Sequence, residues 1–203
     1  MSPSPSFDDR AADWDTPERA DRAASAIGAI RAAVPLASNL RVIELGAGTG
    51  LLGLDLAGDV RSVVLTDPSA GMLAEADRKI EAAGLRNVRA LRFGLGEDPL
   101  PAERFDLAIS HLALHHVPDT RAALEALFAL LEPGGRIALV DLDAEDGSFH
   151  SDPSAQVHHG FDRVALGAAV QAAGFVDVAF STAYEIARDA GAFPLFLLTA
   201  RRP

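Results

Sequence analysis

Two places in this sequence have residues whose types and spacing could do chemistry. The first is the glycine run Glu44-Leu45-Gly46-Ala47-Gly48-Thr49-Gly50-Leu51-Leu52-Gly53. Read from Gly48, it spells G-x-G-x-x-G, the turn that holds a dinucleotide pyrophosphate against a helix N-terminus. Read from Glu44, it spells E-x-G-x-G-x-G. In a dinucleotide turn the first glycine follows the strand directly. Here the apolar strand RVIEL ends at Leu45, and the next glycine, Gly46, has Leu51 where the third glycine should stand. The dinucleotide frame therefore starts two residues too late. In the other frame Gly46 and Gly48 let the backbone turn and approach a ligand closely, and Gly50 opens a helix. A Glu44 carboxylate would repel phosphates and suits a ligand with cationic groups. About twenty residues past the turn, Asp67 can accept hydrogen bonds from ribose hydroxyls. It can equally cap the helix that begins at Pro68.

The second place is a histidine-rich interval. All six histidines, His111, His115, His116, His150, His158 and His159, fall between residues 111 and 159. A neutral imidazole can take a proton from an oxygen or nitrogen nucleophile near neutral pH, so His115, His116 and His150 are the candidate catalytic residues. Packing of their loop is the alternative role for His115 and His116. The adjacent pairs His115-His116 and His158-His159 are poor single-face spacing for a metal, and no compact ligand motif appears, so no metal is expected. With no cysteine there is no thiolate chemistry and no disulfide, and the cytoplasm is the default compartment.

These residues need elements to position them. Thr16-Pro17 reads as the N-cap and first turn of a helix that runs to Val34 and is stopped by Pro35. Strand and helix signals then alternate: strands at 40–45, 62–66, 88–93, 105–110 and 136–141, with helices at 50–57, 69–83, 120–131 and 162–173 between or after them. Pro133-Gly134-Gly135 is expected to end the helix at 120–131. The segments 176–182 and 193–199 have no helix between them and should pair antiparallel. Such alternation predicts an α/β fold with a mostly parallel sheet covered on both faces. Residues 1–7, MSPSPSF, read as frayed. The stretch from Leu142 to Gly160 carries no element signal, and a loop of that length is usually functional.

Four segments, VIELGAGTG, LTDPSAGML, RFDLAISHLALHHVPD and LLEPGGRIALVDLD, resemble in order and spacing the motifs of class I S-adenosylmethionine (SAM)-dependent methyltransferases. The similarity is to the small-molecule, ubiquinone/menaquinone-biosynthesis type and spans 11–199. It implies a Rossmann-like, doubly wound seven-stranded sheet in the order 3-2-1-4-5-7-6, with one antiparallel edge pair. It also implies one methyltransferase domain over 1–203, with 1–35 as an N-terminal lid and helix. By motif match, Glu44, Gly46, Ala47, Gly48 and Gly50 would line the methionine part of SAM, and Asp67 would hold the ribose. Pro68, Ser69 and Met72 would lie along the adenine, with Met72 also explicable as helix core. Relatives often carry an aspartate for the adenine amine where this chain has Gly94, so the backbone of Gly94 and Leu95, or Glu97, would replace it. Ser110 would sit under the methionine. AADWDTPER resembles a segment that folds over the cofactor. There Trp14 either offers its face to the sulfonium or anchors the following helix.

The net charge of −11 and a single lysine, Lys79, argue against a phosphate-backbone partner. No apolar run is long enough to span a bilayer. The expected activity is methyl transfer from SAM to a small-molecule acceptor. A SAM-binding protein without catalysis and a nicotinamide-dependent oxidoreductase are the alternatives. The loops 111–117 and 143–160 should wall one acceptor cavity with Trp14 across its mouth, where Phe149, Phe161 and Leu114 could select by shape.

Overall fold

The computed structural model describes residues 5–150, 158–188 and 191–203. Residues 1–4 of the expected lid and 151–157 of the expected acceptor loop lie outside the described residues. Seven strands form one sheet: β1 (Arg41–Leu45), β2 (Ser62–Asp67), β3 (Val88–Arg92), β4 (Phe105–His111), β5 (Leu131–Leu142), β6 (Val176–Arg188) and β7 (Gly191–Arg201). Their order is β3-β2-β1-β4-β5-β7-β6, as the motifs implied. β7 runs antiparallel to both β5 and β6, and the remaining pairs are parallel.

Successive strand residues point to opposite faces, and the short apolar strands use both. Val42, Val63, Leu65, Leu107 and Ile109 join a core with Ile27, Ile30, Leu52 and Leu56, from α2 (Pro17–Ala33) and α3 (Leu51–Leu56). Ile43, Leu45, Val64 and Ala108 belong to a second core with Leu124, Leu127, Leu166 and Val170, from α5 (Thr120–Leu130) and α6 (Arg163–Ala172). Side-chain caps start four helices. Thr16 accepts from the Arg19 amide (3.3 Å), Ser69 from Met72 (3.1 Å), Asp119 from Ala122 (2.9 Å) and Asp162 from Ala165 (2.8 Å). Each is worth about 1 kcal/mol. The cap at Ser69, opening α4 (Ala70–Ala82), shows that Asp67 is not itself the cap residue.

Three expectations about elements change. Pro133-Gly134-Gly135 does not separate helix from strand, because β5 already begins at Leu131. The stretch stays in the sheet with a register slip opposite Phe105/Leu107, held by Gly134 N–H to Arg202 O (2.9 Å) and Arg202 N–H to Gly135 O (2.8 Å). The strand expected at 176–182 continues to Arg188, pairing with β7 as far as Arg188–Gly191. As an edge strand it is mostly exposed and carries no long apolar signal. Residues 5–7, expected to be frayed, belong to a short helical turn, α1 (Pro5–Asp8). Among the described residues no helix is long and apolar enough to cross a membrane.

Candidate active site

The carboxyl ends of β1, β2, β4 and β5 carry the residues singled out above. Past β1 the chain takes left-handed turns at Gly46, Gly48 and Gly50, with φ of +63°, +54° and +84°. At Gly46 conformation and space act together. A Cβ there would stand 2.3 Å from the Ala113 Cβ, so the glycine loop and the loop after β4 touch at this point. Asp67, at the end of β2, accepts from the Gly48 amide and the Ser69 amide, each at 2.8 Å. Burial raises its pKa, and those two hydrogen bonds work against the rise.

Glu44 faces the fold rather than the loop. Its side chain is buried and accepts from the Gly53 amide (2.8 Å), tying the end of β1 to α3. Burial pushes its carboxyl up to about 8, so at neutral pH it carries little negative charge. The electrostatic argument for the second glycine frame is thereby corrected, and the frame rests on Gly46 following the strand directly. Gly53 is a position the sequence reading left unassigned. A Cβ there would meet Glu44 Oε2 at 2.4 Å.

An N-terminal strap lies over this loop. Asp8 accepts from the Ser69 hydroxyl (2.5 Å) and the Gly71 amide (2.8 Å), and these bonds hold its carboxyl below the usual range. Asp15 accepts from the Thr49 hydroxyl and pairs with Lys79. The Trp14 indole Nε1 stands 3.7 Å from where a Gly48 Cβ would be, and the Met72 sulfur 3.9 Å. Cations already sit over the Trp14 ring: the Arg19 guanidinium 4.0 Å and that of Arg10 5.3 Å from its centroid. Arg19 also donates to the Trp14 carbonyl (2.8 Å). Of the two roles considered for Trp14, the one supported by contacts is anchoring the start of α2. Phe7, which the sequence reading passed over, bridges the two halves of the site. Its ring centroid is 5.7 Å from that of Trp14 and 5.8 Å from that of His116. It, rather than Trp14, is the aromatic facing the histidines.

After β3, Gly94 opens a turn in which its amide donates to Asp98 Oδ2 (2.8 Å). A Cβ at Gly94 would lie 3.2 Å from Glu97 Oε2, so two carboxylates stand beside the position where relatives carry their aspartate. Glu97 was considered from sequence and Asp98 was not. Ser110 is buried and donates to the Leu45 carbonyl (3.0 Å), joining β4 to the start of the glycine loop. Ala47 and Met72 are buried, and Arg92 donates to the Pro68 carbonyl (3.2 Å) beside the β3 turn. Leu95 packs against the second core.

The histidine side of the site is built on the 3-10 turn Leu114–His116 and the end of β5. His115 Nδ1 and Asp141 Oδ1 are 2.6 Å apart, with the two side chains 2% and 1% exposed. Asp141 also accepts from the His115 amide (3.2 Å) and the Leu142 amide (2.8 Å). Burial alone would raise the Asp141 carboxyl, but His115 and these hydrogen bonds outweigh it and hold it below the ordinary range. An ionised carboxylate only accepts, so His115 Nδ1 donates to Asp141. His115 Nε2 is buried and has no partner among the described residues. His116 is pushed down to about 3, by burial first and then by His115 and His150. Burial and the His115 charge also lower His150. The three rings are stacked close, with centroids 4.1, 5.1 and 5.6 Å apart.

His115, His116 and His150 thus come together, although adjacent histidines are poor single-face spacing for a metal. The other three serve the scaffold. His111 Nε2 lies 2.6 Å from the Tyr184 hydroxyl. His158 binds the two loops, its amide donating to the His115 carbonyl (2.8 Å) and its ring 3.0 Å from the Val117 carbonyl. His159 packs against Gly147. The loop 111–117 meets the described end of the stretch 143–160 at His158. Phe149 and Leu114, named for shape selection, are instead buried core, and Phe161 packs on His158 and Phe196. Asp141 was missed, although its only signal, an aspartate closing a buried strand in VDLD, was on the page.

Comparison with known proteins agrees with this geometry. A family model described as a methyltransferase domain matches residues 42–135, the stretch from β1 into the start of β5. An uncharacterised methyltransferase of Mycobacterium tuberculosis is 38% identical over 109 residues, 54% of this chain and 53% of that protein. The demethylmenaquinone methyltransferase of Clavibacter sepedonicus is 31% identical over 136 residues, 67% of this chain and 51% of that protein. The chain thus spans about half the length of the curated relatives it matches. Among solved structures, the DhpI–S-adenosylhomocysteine complex superposes with a TM-score of 0.74 at 26% identity, over 98% of this chain and 93% of that one. Domain match, relatives and sheet order agree: residues 42–135 carry a methyltransferase domain, and the chain is similar to the class I SAM-dependent methyltransferases.

Proposed function

We propose that the protein transfers the methyl group of SAM to a small-molecule acceptor, with His115 as the base that takes the acceptor's proton. The observation that carries this reading is the juxtaposition of two half-sites. The glycine loop with Asp67 and the His115–Asp141 pair meet where Gly46 touches Ala113. The residues present fit SAM. Each Asp67 oxygen takes one backbone N–H and retains a lone pair for a ribose hydroxyl. The space beside Gly48, between Trp14 and Met72, is one a side chain would fill.

When bound, SAM supplies an electrophilic methyl group and a neutral thioether leaving group. The chain's own part is alignment, exclusion of water and proton handling. The turn at 94–98 flanks the adenine end. The strap from Phe7 to Asp15 covers both ligands. His115 Nε2, aimed at the histidine cluster, accepts the proton of an oxygen or nitrogen nucleophile, while Asp141 holds the tautomer and stabilises the imidazolium that forms. The quinone-precursor activity named for the Clavibacter relative supports a small aromatic or hydroxylated acceptor.

Calorimetry tests the first half. SAM and S-adenosylhomocysteine should bind, and Asp67→Ala should weaken both roughly 10- to 100-fold, the equivalent of about 1.5–3 kcal/mol for hydrogen bonds to a charged group. Gly48→Val should abolish binding. Tighter binding of NADH than of either ligand would refute the methyltransferase reading and favour the oxidoreductase.

A further inference from the structure

We propose that His115, His116 and His150 form a three-imidazole site for a divalent transition-metal ion of the zinc class, at the acceptor side of the pocket. One ring nitrogen from each residue lies within 4.8 Å of the others, and the residues come from two separate loops. Nothing in the methyl-transfer reading requires such a convergence; the proposal rests on that reading for the location of the acceptor, and the His115 Nε2 lone pair serves as a base only in the metal-free protein.

Three features distinguish this cluster from packed aromatic rings. First, the Nε2 atoms of His115 and His150 are both buried without a hydrogen-bond partner among the described residues. A buried polar atom left unsatisfied costs free energy, and such atoms in native structures are normally accounted for by a ligand, an ion or a water. Second, His115 has the outer partner that metal-bound histidines have. Its Nδ1 is tied at 2.6 Å to Asp141, which fixes the ring and leaves Nε2 as the ligating atom. Asp141 is itself anchored by the His115 and Leu142 amides, so the ligand is supported two layers deep. Third, the distances can close. With Zn–N bonds of about 2.0–2.1 Å, tetrahedral nitrogens stand roughly 3.3 Å apart. The rings therefore need to approach by at most about 1.5 Å, within reach of side-chain torsions on the 3-10 turn and on His150.

The donor set selects the ion. Three neutral imidazoles suit zinc, cobalt or nickel, whereas magnesium and calcium require oxygen ligands. Three protein ligands also leave a coordination position open, the arrangement of catalytic rather than structural zinc sites. A hydroxyl or carbonyl oxygen of the acceptor is the group that would fill it.

The test uses the full-length protein and Co2+, whose visible d–d bands report coordination geometry. Titration of metal-free protein should saturate at one Co2+ per chain with bands of four- or five-coordinate cobalt, and Zn2+ should displace it. His150→Ala and His116→Gln should each weaken Co2+ binding at least tenfold. Both variants should retain circular dichroism and S-adenosylhomocysteine affinity, since neither touches the glycine loop. Absence of stoichiometric uptake, or uptake unchanged in both variants, would overturn the proposal. If metal binding fails while S-adenosylhomocysteine still binds, only this proposal falls. If the cofactor fails to bind, the methyltransferase reading falls instead. Should His150→Ala not fold, His116→Gln decides the matter alone.

Discussion

Replacing Gly46 by alanine should strain the protein in two separable ways. Its φ of +63° lies in the left-handed region, where a Cβ costs roughly 1–2 kcal/mol. The same Cβ would stand 2.3 Å from the Ala113 Cβ, well inside van der Waals contact, and such overpacking costs roughly a further 1–3 kcal/mol. Gly46→Ala should therefore destabilise by about 2–5 kcal/mol, or roughly 4–20 °C in Tm for a chain of this length. The second part can be removed without touching the first. Ala113→Gly deletes the opposing methyl, so the double variant Gly46→Ala/Ala113→Gly should keep only the conformational cost. Urea denaturation of the four proteins completes a double-mutant cycle. The interaction energy should be favourable by about 1–3 kcal/mol, far from the near-zero value of independent sites. A cycle that is additive within about 0.5 kcal/mol would refute the claim that these two loops meet at Gly46. Loss of S-adenosylhomocysteine affinity in Gly46→Ala, regained in the double variant, would further tie the contact to the cofactor site.

Two other predictions concern the scaffold of the site. His111 is buried against Tyr184, and burial lowers its pKa from about 6.5 to about 4. Its contribution to stability is thus complete above pH 6.5 and is lost as pH falls toward 4, amounting to about 3 kcal/mol at 1.36 kcal/mol per pKa unit. His111→Gln should flatten that limb of the pH–stability curve, and an unchanged acid limb would contradict the assignment. Arg163 grips both oxygens of Asp143 at 2.7 Å, holding the start of the long loop to α6. Arg163→Ala should accelerate limited proteolysis within 143–160, read by mass spectrometry, and leave S-adenosylhomocysteine affinity intact. Unaltered cleavage would show that the ion pair is not the loop's tether.

The sheet was legible because its inner strands are buried on both faces and read as short apolar runs between glycine, proline and capping residues. Thr16 and Ser69, with Gly58, Gly84 and Gly174 after α3, α4 and α6, marked helix boundaries within a residue or two. The edge was less legible. β6 is exposed along most of its length, and Ile186 is its one buried residue, so no sustained apolar pattern announced residues 183–188 as strand. In the site, local signals such as Gly46 and Asp67 carried over, whereas roles set by distant partners did not. Asp141 matters because His115, 26 positions away, folds onto it. Trp14 has its ring faces occupied by Arg10 and Arg19, which no periodicity reveals. The convergence of His150 with His115 and His116 depends on how a long loop returns across β5, and adjacency in sequence was a poor guide to it.

The strap from Phe7 to Asp15 touches the glycine loop, the start of α4 and the histidine turn with one continuous stretch of chain. A molecule bound for either half of the site must therefore wait on the same opening event. The apparent affinity of each ligand is reduced by the fraction of time the strap is lifted. Whichever ligand arrives first and holds the strap open relieves the second of that penalty. Two substrates that never exchange a direct contact would then bind with positive cooperativity, and by reciprocity each would raise the affinity of the other by the same factor.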